Sequence, residues 1–171
     1  TNLLKSMVTF ANPLQIRYWS TTPYLFGVHA VKYSAIPQGE RSDRIPSNPD
    51  DNFLHQAMVK QLATADAYFD FTVQFQTNAG EMPIEDAGKE WKESSSPFLK
   101  VATIKIPQQS FTSTQHVEFG ENLSFTPWHC LPEHRPVGGI NRSRKLVYET
   151  ISLFRHKYNN VARQEPTSWE I

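Results

Sequence analysis

Aromatic and β-branched residues dominate "LQIRYWSTTPYLFG" at 14–27 and "HAVKYSAI" at 29–36, and the two runs meet at Gly27. That pattern predicts two strands joined by a tight turn. The polar stretch "PQGERSDRIPSNPDD" at 37–51 carries three prolines and reads as a loop. Beyond it Phe53, Leu54, Ala57, Met58, Gln61 and Leu62 recur at helical spacing, with Asp50 and Asp51 available to cap the start. At 67–77 Phe69, Phe71, Val73 and Phe75 alternate with Asp70, Thr72, Gln74 and Gln76, the pattern of a strand with one buried face. After a second loop, "LKVATIKIP" at 99–107 alternates in the same way. From Phe111 the pattern is lost: "SFTPWHCLPEHRPVGG" holds three prolines and two adjacent glycines, which predicts irregular backbone that wraps rather than pairs. A helix is expected over 141–158, with Val147, Ile151 and Phe154 as its apolar stripe.

Four long strands followed by a helix define an α+β chain with an antiparallel sheet. Four strands cannot close into a barrel with a filled interior, so a barrel would need further strands. The opening "TNLLKSMVTFANPLQ" resembles the last turns of a helix without a start signal, and the first residue is Thr1, so a fragment or a processed chain is expected.

Composition narrows the partners. The 171 residues are 39% hydrophobic, enough for one domain with a sizeable core. Seventeen basic residues balance seventeen acidic ones, which gives no general attraction to nucleic acid or to an anionic membrane. Cys130 is the single cysteine, excluding an internal disulfide framework. No apolar run approaches the roughly 20 residues that span a bilayer. A soluble protein is expected, with the cytoplasm as the simplest compartment and the periplasm or the exterior left open.

The helix at 141–158 carries the candidate chemistry. At 3.6 residues per turn, Arg144, Tyr148 and Arg155 lie within about 40° of one another. A phenol with a reference pKa near ~10 is a poor metal ligand unless its anion is stabilised. A guanidinium one turn away supplies such help, and a second can meet a carboxylate in bidentate fashion. A ligand with a hard cationic centre and peripheral carboxylates suits this face, a description that heme meets. The same spacing also describes a solvated helix face with the tyrosine ring packed under an arginine stem.

"RSRKLVYETISLFR", preceded by "ENLSFTPWHCLPEHRPVGGIN", resembles the proximal side of the heme catalase superfamily, in particular its catalase-like heme protein branch. The matching pattern is an arginine, three residues and the iron-ligating tyrosine, here Arg144 and Tyr148. Arg155 stands where the family carries an arginine that meets a heme propionate. Phe125, Pro127 and Pro132 match the wrapping segment. Upstream, "YWSTTPYLFGVHAVKYSAIP", "YFDFTVQFQTNAGEMPIEDAGKEW" and "FLKVATIKIP" resemble the later barrel strands.

The resemblance implies a partial catalase-like domain over 1–171. Barrel strands with an inserted helix would occupy 14–107, a wrapping segment 108–140 and the proximal helix 141–158. It further implies heme b held by Tyr148 as axial ligand to the iron, with Arg144 as its charge partner, Arg155 on a propionate and Phe125 against the cofactor. The activity implied is that of an oxidoreductase on hydrogen peroxide or organic peroxides. Alternatives are a catalytically inactive heme-binding or structural module and a relative that rearranges fatty-acid hydroperoxides. The family's distal histidine and asparagine would precede Thr1, so the implied partners include the missing N-terminal part or a second copy of the chain.

Other residues have plainer readings. The six histidines show no His-Glu-x-x-His spacing, which argues against a zinc or di-iron site. "PWHC" sets His129 beside Cys130, but a packed cysteine is expected in preference to a nucleophile. "MPIED" at 82–86 offers turn and N-cap carboxylates, and "VGGIN" a flexible turn before the helix. Trp19, Trp91, Trp128 and Trp169 are expected to be packing anchors.

Overall fold

In the computed structural model, residues 9–40, 42–163 and 166 are described; the expected helix end at the start of the chain lies largely outside them, as does Trp169. Asn12 accepts a hydrogen bond from the Leu14 amide at 2.9 Å and starts a 3₁₀ turn over Pro13–Gln15. The run at 14–27 is therefore not one strand. It supplies this turn and two short strands, β1 (Tyr18–Trp19) and β2 (Tyr24–Phe26). Between them Thr21 adopts φ 59° and Pro23 has no amide to donate, so the ladder breaks.

Both short strands pair antiparallel with β3 (His29–Pro37). The expected turn at Gly27 is present, with φ +65° and Phe26 opposite His29. Next to β3 lies β4 (Ala67–Phe75), and outside it β5 (Leu99–Ile106), giving the order β1-β3-β4-β5 in an open five-stranded sheet. In the β4–β5 ladder Phe71 faces Ala102 and Thr72 faces Lys100, leaving Val101 as the extra residue of a bulge.

Helix α1 (Phe53–Leu62) covers one end of the sheet. Leu62 joins Leu14, Ala67 and Phe69 in a buried cluster flanked by Ala35, Met58, Ile106 and Phe111. The acidic residues before α1 do not cap it as expected. Asp50 instead accepts from the Asn52 amide at 2.7 Å and from the Gln56 side chain at 2.8 Å, while Asn52 holds the cap position without a side-chain bond. The single buried face expected of β4 is also corrected: Thr72, Val73 and Gln74 are all buried. Gln74 tolerates this because its amide donates to the carbonyls of Trp91 and Ser96 at 3.0 and 2.9 Å in the overlying loop.

The wrapping segment contains a helix that its prolines concealed. Ser113 accepts from the His116 amide at 3.2 Å and caps α2 (Thr114–Asn122). Further along, Leu25 and Gly27 donate to the carbonyls of Arg135 and Glu133, and Val137 donates to that of Pro23, so residues 133–137 lie along β2. That seam leads into α3 (Gly139–Asn159), which includes the expected helix. Glu85 accepts from the Gly139 amide at 2.8 Å and holds Arg142 through two bonds of 3.1 Å, the capping role read from its segment.

Candidate functional site

The burial of α3 is inverted relative to its sequence pattern. Val147, Ile151 and Phe154, the expected core stripe, are 56%, 55% and 64% exposed. Turned toward the rest of the chain are Asn141 and His156, both buried, with Arg144, Tyr148, Ser152 and Arg155 half-buried. Polar bonds to the 22–24 turn and to Leu123 and Ser124 select this face. The Arg/Tyr/Arg face is thus an inward surface and not the solvated one that the spacing also allowed.

Arg144 reaches from the helix to the sheet. Its Nη2 donates to Tyr148 Oη at 3.2 Å, and its guanidinium carbon lies 5.2 Å from the centre of the Tyr148 ring. Its Nη1 meets Thr22 Oγ1 at 3.3 Å, Tyr24 Oη at 3.3 Å and Asn141 Oδ1 at 3.2 Å. Burial opposes the charge of Arg144, but its contacts with Tyr148 and Tyr24 outweigh that and raise its pKa. On the sheet side, Tyr24 packs at 5.1 Å against Tyr33, whose hydroxyl donates to the Leu25 carbonyl. Burial, then Tyr24 and Cys130, push Tyr33 up to about 12, so it is a neutral phenol at physiological pH.

One to about two turns beyond Tyr148, α3 faces the segment after α2. Arg155 donates to the Leu123 carbonyl. Ser124 Oγ lies 2.8 Å from Ser152 Oγ and 2.9 Å from His156 Nε2. Between these elements is an open hollow of about 290 Å³, lined by Leu123, Phe125, Val147 and Ile151 and bearing Tyr148, Ser124, Ser152 and Arg155. Three of the four residues singled out from the sequence, Phe125, Tyr148 and Arg155, therefore border one cavity. Arg144 supports Tyr148 from the sheet side and does not line it. The hollow has largely apolar walls, with a phenol at one place on its rim and a guanidinium at another.

Sequence reasoning missed Thr22, Tyr24, Ser124 and Ser152. Nothing local marks Thr22 or Tyr24, which lie over a hundred residues from Arg144. Asn141, one turn before Arg144 on the same face, carried a usable signal. Other expectations need correction. Cys130 is exposed and not packed, because it sits in the irregular turn after Trp128. Trp19 is 54% exposed on a short edge strand, whereas Trp91 is buried and Trp128 donates to the Asn141 carbonyl at 3.0 Å. Among the described residues no three histidines, cysteines or carboxylates are grouped to hold a metal, and no helix is long and apolar enough to cross a membrane.

The architecture is the catalase fold in part. A fungal catalase solved at 1.9 Å superposes with a TM-score of 0.71 at 14% identity, covering 88% of this chain and 33% of that one. Catalase A from Saccharomyces cerevisiae gives 0.70 at 15% identity over 86% and 33%, and a bacterial catalase 0.70 at 12% over 94% and 34%. The chain spans about a third of the length of these structures. No family sequence model and no curated protein matches it.

Proposed function

We propose that this chain is part of a heme-binding, catalase-like oxidoreductase, with Tyr148 as the residue that would ligate the iron. The observation that carries the reading is the 3.2 Å bond from Arg144 Nη2 to Tyr148 Oη at the rim of an apolar hollow. The guanidinium sets a positive charge beside the Tyr148 oxygen, the atom that would meet ferric iron. Apolar walls with one phenol and one guanidinium fit a heme edge better than a polar metabolite. Phe125 and Ile151 would pack on the ring system and exclude water. Arg155, whose fork carries five N–H donors, would meet a propionate with those not given to Leu123.

When bound, heme supplies the redox chemistry on peroxide. Tyr148 would hold the iron, Arg144 would set a positive charge beside its oxygen, and the bonds from Arg144 to Tyr24, Thr22 and Asn141 would fix the direction of the guanidinium. Because the chain spans about a third of each matched catalase, heme binding is proposed for this chain and peroxide turnover only for an assembly that supplies the rest of the site. Titration of the 171-residue chain with hemin tests the assignment through the visible spectrum. Tyr148→Phe is expected to abolish the phenolate-to-iron band, and an identical spectrum in that variant overturns the ligand.

A further inference from the structure

We infer that Asn141 is a positioning residue for the proposed ligand: its side-chain oxygen fixes the guanidinium of Arg144 and, through it, the phenol of Tyr148. The inference rests on the reading of Tyr148 as the heme ligand.

Asn141 is fully buried, and its amide has no spare capacity. Its Nδ2 donates to the carbonyls of Pro23 and Val137, both at 2.8 Å. Its Oδ1 receives Thr22 Oγ1 at 3.1 Å and Arg144 Nη1 at 3.2 Å. Two donors and two lone pairs are all used. The orientation of the amide is determined by these partners, since both carbonyls can only accept and Arg144 can only donate. A flipped amide would leave the Pro23 carbonyl with only the Val137 amide, take the Asn141 side-chain donor from the Val137 carbonyl, and set its NH₂ against a cation.

The consequence reaches the site. Three oxygens surround Arg144 Nη1, more than its two hydrogens satisfy with good geometry at once. Tyr24 belongs to the sheet and Thr22 to the turn leading into it, whereas Asn141 lies one turn before Arg144 on α3 and is itself tied to the Pro23 carbonyl. Asn141 therefore registers helix against sheet at the point where Arg144 bridges them, leaving Nη2 directed at Tyr148. Without that contact the guanidinium keeps only the two 3.3 Å bonds to Thr22 and Tyr24, which hold its rotation, and so the Tyr148 bond, less firmly.

Two variants separate positioning from packing. Asn141→Asp keeps the acceptor for Arg144 and loses the two donated bonds, while Asn141→Ala loses both. In hemin-free chain labelled with ¹⁵N-arginine, the Arg144 side-chain resonances are assigned by their loss in Arg144→Lys. Restricted rotation, seen as resolved η resonances, is expected in the wild type and in Asn141→Asp, and averaging in Asn141→Ala. Equal restriction in wild type and Asn141→Ala overturns the inference, as does averaging in Asn141→Asp, which decides alone if the alanine variant does not fold.

Hemin titration supplies the second arm. Asn141→Ala is expected to weaken hemin about tenfold and to shift the phenolate band, and to add nothing in an Arg144→Ala background. Averaged Arg144 resonances with unchanged hemin affinity and spectrum would also overturn the positioning role. If the wild type itself gives no phenolate band, the ligand reading of Tyr148 fails, and the Arg144 resonances still decide whether Asn141 holds the guanidinium.

Discussion

Arg144 donates to Tyr148 at 3.2 Å from the same guanidinium that reaches Tyr24 at 3.3 Å, so one cation links a helix phenol to a sheet phenol. Removing it affects both assembly and chemistry. Arg144→Ala is expected to cost about 1–3 kcal/mol of stability, measured by urea denaturation, because the buried oxygens of Asn141 and Thr22 lose a donor. The hemin complex of that variant should show a shifted reduction potential. A stability loss with potential and spectrum unchanged would make Arg144 structural only.

Gly138 precedes α3 with φ +90°, and a Cβ there would lie 2.7 Å from the Ile84 carbonyl oxygen. Backbone cannot yield as a flexible side chain does. Gly138→Ala is expected to destabilise by about 1–3 kcal/mol and to loosen the Glu85 contact at the start of the helix. Thermal melting, with amide exchange at Gly139 and Arg142, checks both.

Ser124 is the partner of His156 Nε2, and His156 Nδ1 is buried without one among the described residues. Ser124→Ala would leave both ring nitrogens unsatisfied. A loss of about 1–3 kcal/mol is expected by denaturation. Replacing His156 by Leu in the same background should restore part of it, since an apolar side chain has no hydrogen bonds to lose.

Asp66 binds Lys105 at 2.9 Å, the Gln108 amide at 2.7 Å and the Tyr68 hydroxyl at 2.8 Å. The Lys105 bond, followed by those of Gln108 and Tyr68, lowers its pKa from 3.8 to about 2. Between those values the unfolded chain binds the proton and the folded chain does not. The stabilisation is therefore full above the unfolded value and is lost as pH falls toward about 2. Asp66→Asn should melt lower than wild type at neutral pH, and the two melting temperatures should converge on acidification through this window.

The outer strand β5 pairs only with β4 among the described residues, and Leu99, Val101 and Ile104 are exposed along it. Such an edge recruits another strand. Concentration-dependent self-association of the 171-residue chain is expected by sedimentation, and Val101→Lys at the bulge should reduce it. A monomer at all concentrations would show that the edge is protected.

Local pattern carried much of the fold. Aromatic and β-branched enrichment at 29–36, alternation at 67–77 and 99–107, and helical spacing at 53–62 and 141–158 each identify an element, because these signals depend on the nearest residues in the chain. The helix over Thr114–Asn122 was obscured by the prolines that follow it, although Ser113 marks its start. The break at Thr21 was hidden among aromatic residues that favour strands.

By itself the sequence determined the strand-then-helix order and the shared face of Arg144, Tyr148 and Arg155, since both follow from backbone geometry. Only the tertiary structure decided which face of α3 turns inward. Hydrophobic spacing favoured Val147, Ile151 and Phe154, but Asn141 and Arg144 find their partners at Thr22, Pro23 and Tyr24, between 118 and 122 residues away. Buried polar groups must be paired, and no helical periodicity records where those partners lie.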